Sequence, residues 1–130
     1  MPKGSVTVYI VDDDESVRRA LERLLRSVGY RASTFESAEA FLEATSGRSE
    51  GCLILDILLP GITGLDLQEK LTSLGAKYSI IFMTAHDNPQ WQQRARQGGA
   101  VAYLTKPFQE NSLLEAIELA CGRAETPLPS

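Results

Sequence analysis

Cys52-Leu53-Ile54-Leu55-Asp56 is an apolar run that ends in a charge. A short apolar run bounded by turn signals fits a strand covered on both faces, and here Gly51 precedes it and Pro60-Gly61 follows it. Asp56 then stands where strand meets loop. In an open parallel α/β sheet, ligands bind outside the carboxyl ends of the strands, near the point where strand order reverses. Asp56 is therefore a candidate reactive group, although an Asp in that place also makes ordinary local turns.

Working outward, Val6 to Val11 has the β-branched and aromatic content of a strand and runs into Asp12-Asp13-Asp14-Glu15. A helix follows, with Val17, Leu21, Leu24, Leu25 and Val28 at helical spacing, with Arg18, Arg19, Glu22, Arg23 and Arg26 mostly on the other face, and with Gly29 at its end. Asp14, Glu15 and Ser16 are explained as cap and first-turn residues. Asp12 and Asp13 precede the helix and are not. Arg31 to Phe35 reads as a second strand, and Ser37 caps a small helix turning Ala38, Phe41 and Leu42 inward.

After Asp56 and the loop from Ile57 to Thr63, Gly64 leads into a helix with Leu67, Leu71 and Leu74 on one face. Ser79 to Thr84 is a fourth strand that ends in a hydroxyl. Asn88 as cap and Pro89 at the first helical position start the next helix, which runs to Gln97 with only Trp91 and Ala95 to turn inward. That helix should be weakly anchored. Val101 to Leu104 is the fifth strand, Thr105-Lys106-Pro107-Phe108 follows, and a last helix over about Asn111 to Cys121 buries Leu113, Leu114, Ile117 and Ala120. Strands alternating with helices predict an α/β fold: a doubly wound, five-stranded parallel sheet of order 2-1-3-4-5, flavodoxin-like in topology.

Composition bounds the rest. A chain of 130 residues, 43% hydrophobic and 23% charged, suits one globular domain. It carries no apolar run of membrane-span length, and its first residues lack a signal-peptide core, which gives a cytoplasmic expectation. Cys52 and Cys121 have no metal-ligand spacing and read as reduced thiols. A net charge of −4 and a pI near 5.0 argue against this chain gripping a phosphate backbone by itself.

The strand ends then add up. The first delivers Asp12 and Asp13, the third Asp56, the fourth Thr84, and Lys106 lies just beyond the fifth. The second delivers nothing, and in this strand order it lies at the edge, away from the switch point. Three carboxylates together repel unless one keeps a proton or a cation joins them. An all-oxygen set suits Mg²⁺ better than zinc, and Lys106 adds further compensation. A phosphoryl group fits such a site: the metal and Lys106 neutralise its oxygens, the Thr84 hydroxyl donates to it, and Asp56 attacks in line to give an acyl phosphate.

Val11-Asp12-Asp13, the segment from Asp56 to Gly64 with Pro60, Met83-Thr84-Ala85, and Tyr103-Leu104-Thr105-Lys106-Pro107-Phe108 together resemble the receiver domains of bacterial two-component response regulators. The similarity runs from Val6 to about Cys121. It implies a receiver over residues 1–124, with 125–130 the start of a Pro-rich linker, and Asp56 as phosphoacceptor from a sensor histidine kinase. It implies Mg²⁺ held by Asp13, Asp56 and the backbone carbonyl of Leu58, with Asp12 acting through water. Thr84, Lys106 and the backbone of Ala85 would contact the phosphoryl group. Thr84 and Tyr103 would be the switch pair, and the Lys106-Pro107 bond would be cis.

Leu59 departs from the usual Met before Pro60, a swap of similar volume. Leu58 and His86, each two residues beyond a site residue, would tune the access of water to the acyl phosphate, although His86 could equally be a solvated loop residue. In this family the fourth helix, fifth strand and last helix form the signalling face, and a phosphorylation-dependent homodimer through that face is the implied assembly. The subgroup it most resembles carries a helix-turn-helix output domain, through which alone DNA would be contacted and transcription controlled; no membrane partner is implied. Such domains catalyse at most their own phosphorylation and dephosphorylation.

Three other functions compete. An aspartate-nucleophile phosphatase would place an acid two residues after the nucleophile, where Leu58 stands. A nucleotide or flavin binder would place a Gly-rich or hydroxyl-rich loop after the first strand, where Asp12-Asp13-Asp14 would repel phosphate. A protein-binding module independent of phosphorylation would not need the full acceptor set.

Overall fold

The computed structural model describes residues 6–45 and 50–125. Within them, strands and helices alternate as β1 (Thr7–Val11), α1 (Glu15–Ser27), β2 (Arg31–Phe35), α2 (Ala38–Ala44), β3 (Glu50–Asp56), α3 (Gly64–Ser73), β4 (Lys77–Thr84), α4 (Pro89–Gln97), β5 (Ala102–Thr105) and α5 (Glu110–Glu125). The strands pair in parallel in the order β2-β1-β3-β4-β5. Strand order therefore reverses between β1 and β3. No helix among the described residues is long and apolar enough to cross a membrane.

Alternation along the strands divides the core in two. Val8, Ile10, Cys52, Ile54, Ile81 and Met83 face Leu21 and Leu25 of α1 and Leu113 and Ile117 of α5. Tyr9, Val11, Leu53, Leu55, Ile80 and Phe82 face the other way, onto Phe41 of α2, Leu67 and Leu71 of α3 and Ala95 of α4. Both faces of the central strands are covered, which is why they read as nearly continuous apolar runs. Caps hold the helix starts: the Asp14 side chain accepts from the Ser16 and Val17 amides, Ser37 from Ala40, Thr63 from Asp66, and Asn88 from Gln90 and Trp91.

The structure corrects the sequence reading in several places. Gly51 lies inside β3 rather than at its boundary, since Glu50 and Gly51 pair with Lys77 and Tyr78 of β4. Its φ of +145° and the Tyr9 ring, 2.9 Å from where a Cβ would stand, explain why glycine occupies the position. Leu74 does not face inward. It caps α3, where the turn of the chain swings its side chain out to 65% exposure, and Leu65 and Gln68 are buried on α3 instead. α4 buries only Ala95, with Trp91 half-buried, as its composition predicts. α5 includes Glu125, one residue into the predicted linker, and residues 126–130 lie outside the described residues.

Candidate functional site

Strand register brings the predicted residues together. Val11 lies opposite Leu55, so the next residues, Asp12 and Asp56, leave the sheet side by side at the switch point. Asp56 is level with Met83, which puts Thr84 one step beyond it, and Thr84 is level with Thr105, which puts Lys106 one step further. The Lys106-Pro107 peptide is cis. Asp12 and Thr84 have no exposed surface, Asp56 is 6% exposed, and Asp13 is open to solvent.

Lys106 joins the acids. Its Nζ is 2.9 Å from Oδ2 of Asp12 and 3.3 Å from Oδ2 of Asp56. The other oxygens are also engaged: Oδ1 of Asp12 accepts from the Asp14 amide at 2.8 Å, and Oδ1 of Asp56 accepts from the Leu58 amide at 3.1 Å. Burial, and then the neighbouring Asp12, push the Asp56 carboxyl up to about 6, against the opposing pull of Lys106 and the Leu58 amide. Burial alone would lower Lys106, but its contacts with both carboxylates outweigh that and raise it. The site is short of positive charge.

Two loops frame the acids. After β3, the Ile57 amide donates to the Met83 carbonyl and Gly64 donates back to Ile57. A Cβ on Gly64 would overlap the Asp56 carbonyl oxygen, so α3 can start only this close to the reactive residue with glycine there. Leu58 on this loop is 43% exposed. Further along, the Ile62 amide donates to the Glu39 carboxylate of α2 at 3.3 Å, a tie across 23 positions that no local pattern announced. On the other side, Arg18 of α1 donates from Nη1 to the Asp12 carbonyl at 2.8 Å. Helical spacing alone puts Arg18 among the residues mostly on the face away from the apolar one and gives no sign of this bond.

The loop after β4 runs from the site toward α4. Thr84 accepts from the His86 amide at its Oγ1, 3.2 Å away, and Ala85 and His86 are exposed. The His86 ring meets Trp91 edge to face at 6.3 Å. Tyr103 packs its ring against the core cluster that includes Phe82 and Leu55. Its hydroxyl is sealed from solvent beside the Asn88 backbone, with no hydrogen bond of good geometry among the described residues. Burial raises the phenol above its ordinary pKa, the Asn88 backbone opposing and Asp87 adding.

α4 also makes polar contacts with α3. Gln68, 3% exposed, donates from Nε2 to the Ala95 carbonyl at 3.1 Å, and Arg94 reaches Glu69 at 2.9 Å and Asp66 at 3.3 Å. A cleft of about 350 Å³ lies between these helices, lined by Gln68, Glu69 and Arg94 among others; it shares no residue with the acids. Neither Gln68 nor Arg18 carries a sequence signal that separates it from its neighbours.

Carboxylate oxygens of Asp12, Asp13 and Asp56 all lie within 4.8 Å of one another. An all-oxygen set with no thiol or imidazole suits a hard divalent cation. Both oxygens of Asp12 and both of Asp56 already accept hydrogen bonds, whereas Asp13 is open to solvent.

Residues 8–118 match the family model described as the response regulator receiver domain. The chain is 46% identical over 113 residues to the response regulator protein TmoT of Ectopseudomonas mendocina, covering 87% of this chain and 51% of that protein. It superposes on the response regulator StyR with a TM-score of 0.85 at 45% identity, covering 91% of this chain and 60% of StyR. On full-length FixJ from B. japonicum the TM-score is 0.86 at 36% identity, over 96% of this chain and 61% of FixJ. The chain spans about half the length of relatives such as TmoT.

Proposed function

The chain belongs to the response regulator receiver domain family, and from that premise we propose that it is a phosphorylation-dependent switch in which Asp56 accepts a phosphoryl group from the phosphohistidine of a sensor kinase. The observation that carries this reading is the bridge from Lys106 to both Asp12 and Asp56 inside a triangle of carboxylates. A deliberate surplus of acids around one cation leaves room for a second, divalent one.

Asp13, Asp56 and the Leu58 carbonyl would hold Mg²⁺, with Asp12 reaching it through water; when bound, the ion neutralises charge on the transferring phosphoryl group. Asp56 attacks phosphorus with a carboxylate oxygen, the P–N bond of the donor breaks, and the donor imidazole leaves to be reprotonated by solvent. Lys106, released in part from Asp56 as the attacking oxygen becomes the bridging oxygen of a mixed anhydride, pairs with a phosphoryl oxygen. The Thr84 hydroxyl and the Ala85 amide donate to the others. Burial of Asp12, Asp56 and Thr84 strengthens each of these contacts.

The readout is the surface of α4, β5 and α5. When the Thr84 hydroxyl turns to the phosphoryl group it gives up the His86 amide, and the Tyr103 ring, already packed against the core, would shift into the space behind it. This surface would form a phosphorylation-dependent homodimer and control transcription through an output domain, a reading supported by relatives named as transcriptional regulatory proteins. Leu58 and His86 would set the lifetime of the acyl phosphate, with Leu58 excluding water above Asp56.

Incubation with acetyl phosphate and magnesium, followed by intact mass measurement, tests the reading. The native chain should gain one phosphoryl group that is lost on mild alkaline treatment, and Asp56→Asn should gain none. A gain that survives in Asp56→Asn, or no gain in the native chain, overturns it.

A further inference from the structure

We propose that Arg18 is a positioning residue for the divalent-cation site, an inference that rests on the reading above that the acids hold such a cation. Arg18 fixes the peptide joining Asp12 to Asp13, and so the direction in which Asp13 presents its carboxylate, although its own charge repels the cation.

The turn after β1 shows why such an anchor matters. Asp12 is tied down by its amide to the Phe35 carbonyl at 3.1 Å, by Oδ1 to the Asp14 amide and by Oδ2 to Lys106. Asp14 is spent as the cap of α1. Asp13, between them, is exposed and makes no hydrogen bond of its own among the described residues, so its orientation is inherited from the backbone. The one remaining handle on that backbone is the Asp12 carbonyl, and Arg18 holds it at 2.8 Å from a half-buried position. A peptide unit is planar, so fixing its oxygen also fixes the plane from which Asp13 departs. The planar guanidinium projects from the second turn of a capped helix, which makes it a stiff strut rather than a loose tether. Its neighbour Arg19 behaves differently, pairing with Glu15 on the exposed side of the helix.

Geometry and charge predict opposite signs, which makes the proposal testable by calorimetric titration with magnesium chloride. A cation that acted only through its charge would, when removed, leave the acids more attractive to Mg²⁺. A strut, when removed, loosens Asp13 and weakens binding; losing an outer partner of a ligand costs on the order of tenfold in affinity. Arg18→Leu should therefore bind Mg²⁺ about tenfold more weakly. Arg18→Lys, which keeps the charge and one donor, should recover at least part of that loss. At saturating magnesium, phosphorylation of Arg18→Leu by acetyl phosphate should return to the native rate.

Equal or tighter binding by Arg18→Leu, no recovery in Arg18→Lys, or a rate deficit that persists at saturation overturns the proposal. Native chain and Asp13→Asn are titrated beside them: absence of binding by the native chain sinks the reading of the site itself, whereas native binding with an unaltered Arg18→Leu sinks only the role of Arg18.

Discussion

The ammonium of Lys106 stands 2.9 Å from Oδ2 of Asp12, a carboxylate with no exposed surface, across 94 positions of sequence. Removing the cation leaves two buried acids facing each other. Lys106→Met keeps the apolar stem and removes the charge, and should cost about 2–3 kcal/mol of stability at neutral pH, below the full cost of breaking a buried pair because Lys106 is itself partly solvated. Urea unfolding measures it. A loss below about 0.5 kcal/mol, the scale of an ordinary surface change, would contradict the account.

Asp56 makes stability depend on pH in the direction opposite to an ordinary salt-bridged acid. Its pKa rises from 3.8 unfolded to about 6 folded. The folded chain therefore holds a proton that the unfolded chain has released, and the group's favourable contribution is complete below pH 3.8 and lost as pH rises through about 6. Asp56→Asn should be indistinguishable from the native chain in stability near pH 4, and more stable by about 1–2 kcal/mol at pH 7.5 in the presence of a chelator, a figure discounted for solvent. Equal stability at both pH values would refute the assignment.

Gly64 should not tolerate a methyl group. Gly64→Ala drives a Cβ into the carbonyl of Asp56 and the Cα of Ile57, both backbone atoms that cannot step aside. The expected cost is about 2 kcal/mol, typical of overpacking, together with slower acyl phosphate formation because Asp56 is displaced. Denaturant melts and timed phosphorylation check the two effects separately.

Gln68→Ala removes the buried amide that holds Ala95 and leaves the carbonyl with only its remaining helix-end bond from Ala100. The global loss should be about 1–2 kcal/mol. Because Ala95 is the only buried residue of α4, amide exchange should quicken over 90–97 while β1, β3 and β4 stay protected. Uniform acceleration across the sheet would show that α4 does not open by itself.

Most of the architecture was legible in the chain because parallel sheets write themselves as apolar runs separated by capped helices. Asp12, Asp56, Thr84 and Lys106 could be assembled from strand order alone, since each ends or just follows a strand. What stayed hidden depends on contacts between elements that share no pattern. Arg18 and Gln68 look like any polar residue at a helical position, and only the docking of α1 against the end of β1, or of α3 against α4, gives them partners. Gly51 was misjudged for a related reason: glycine in a strand resembles a boundary until the Tyr9 ring from β1 is seen to need the space.

Trp91 is the chain's single tryptophan, and it stands edge-on to His86 at the junction of the loop after β4 and the helix with the thinnest seat in the core. Indole emission, excited at the red edge of the aromatic absorption where the tyrosines contribute little, therefore has one origin. A disturbance of that junction can be followed through the indole of the unlabelled chain.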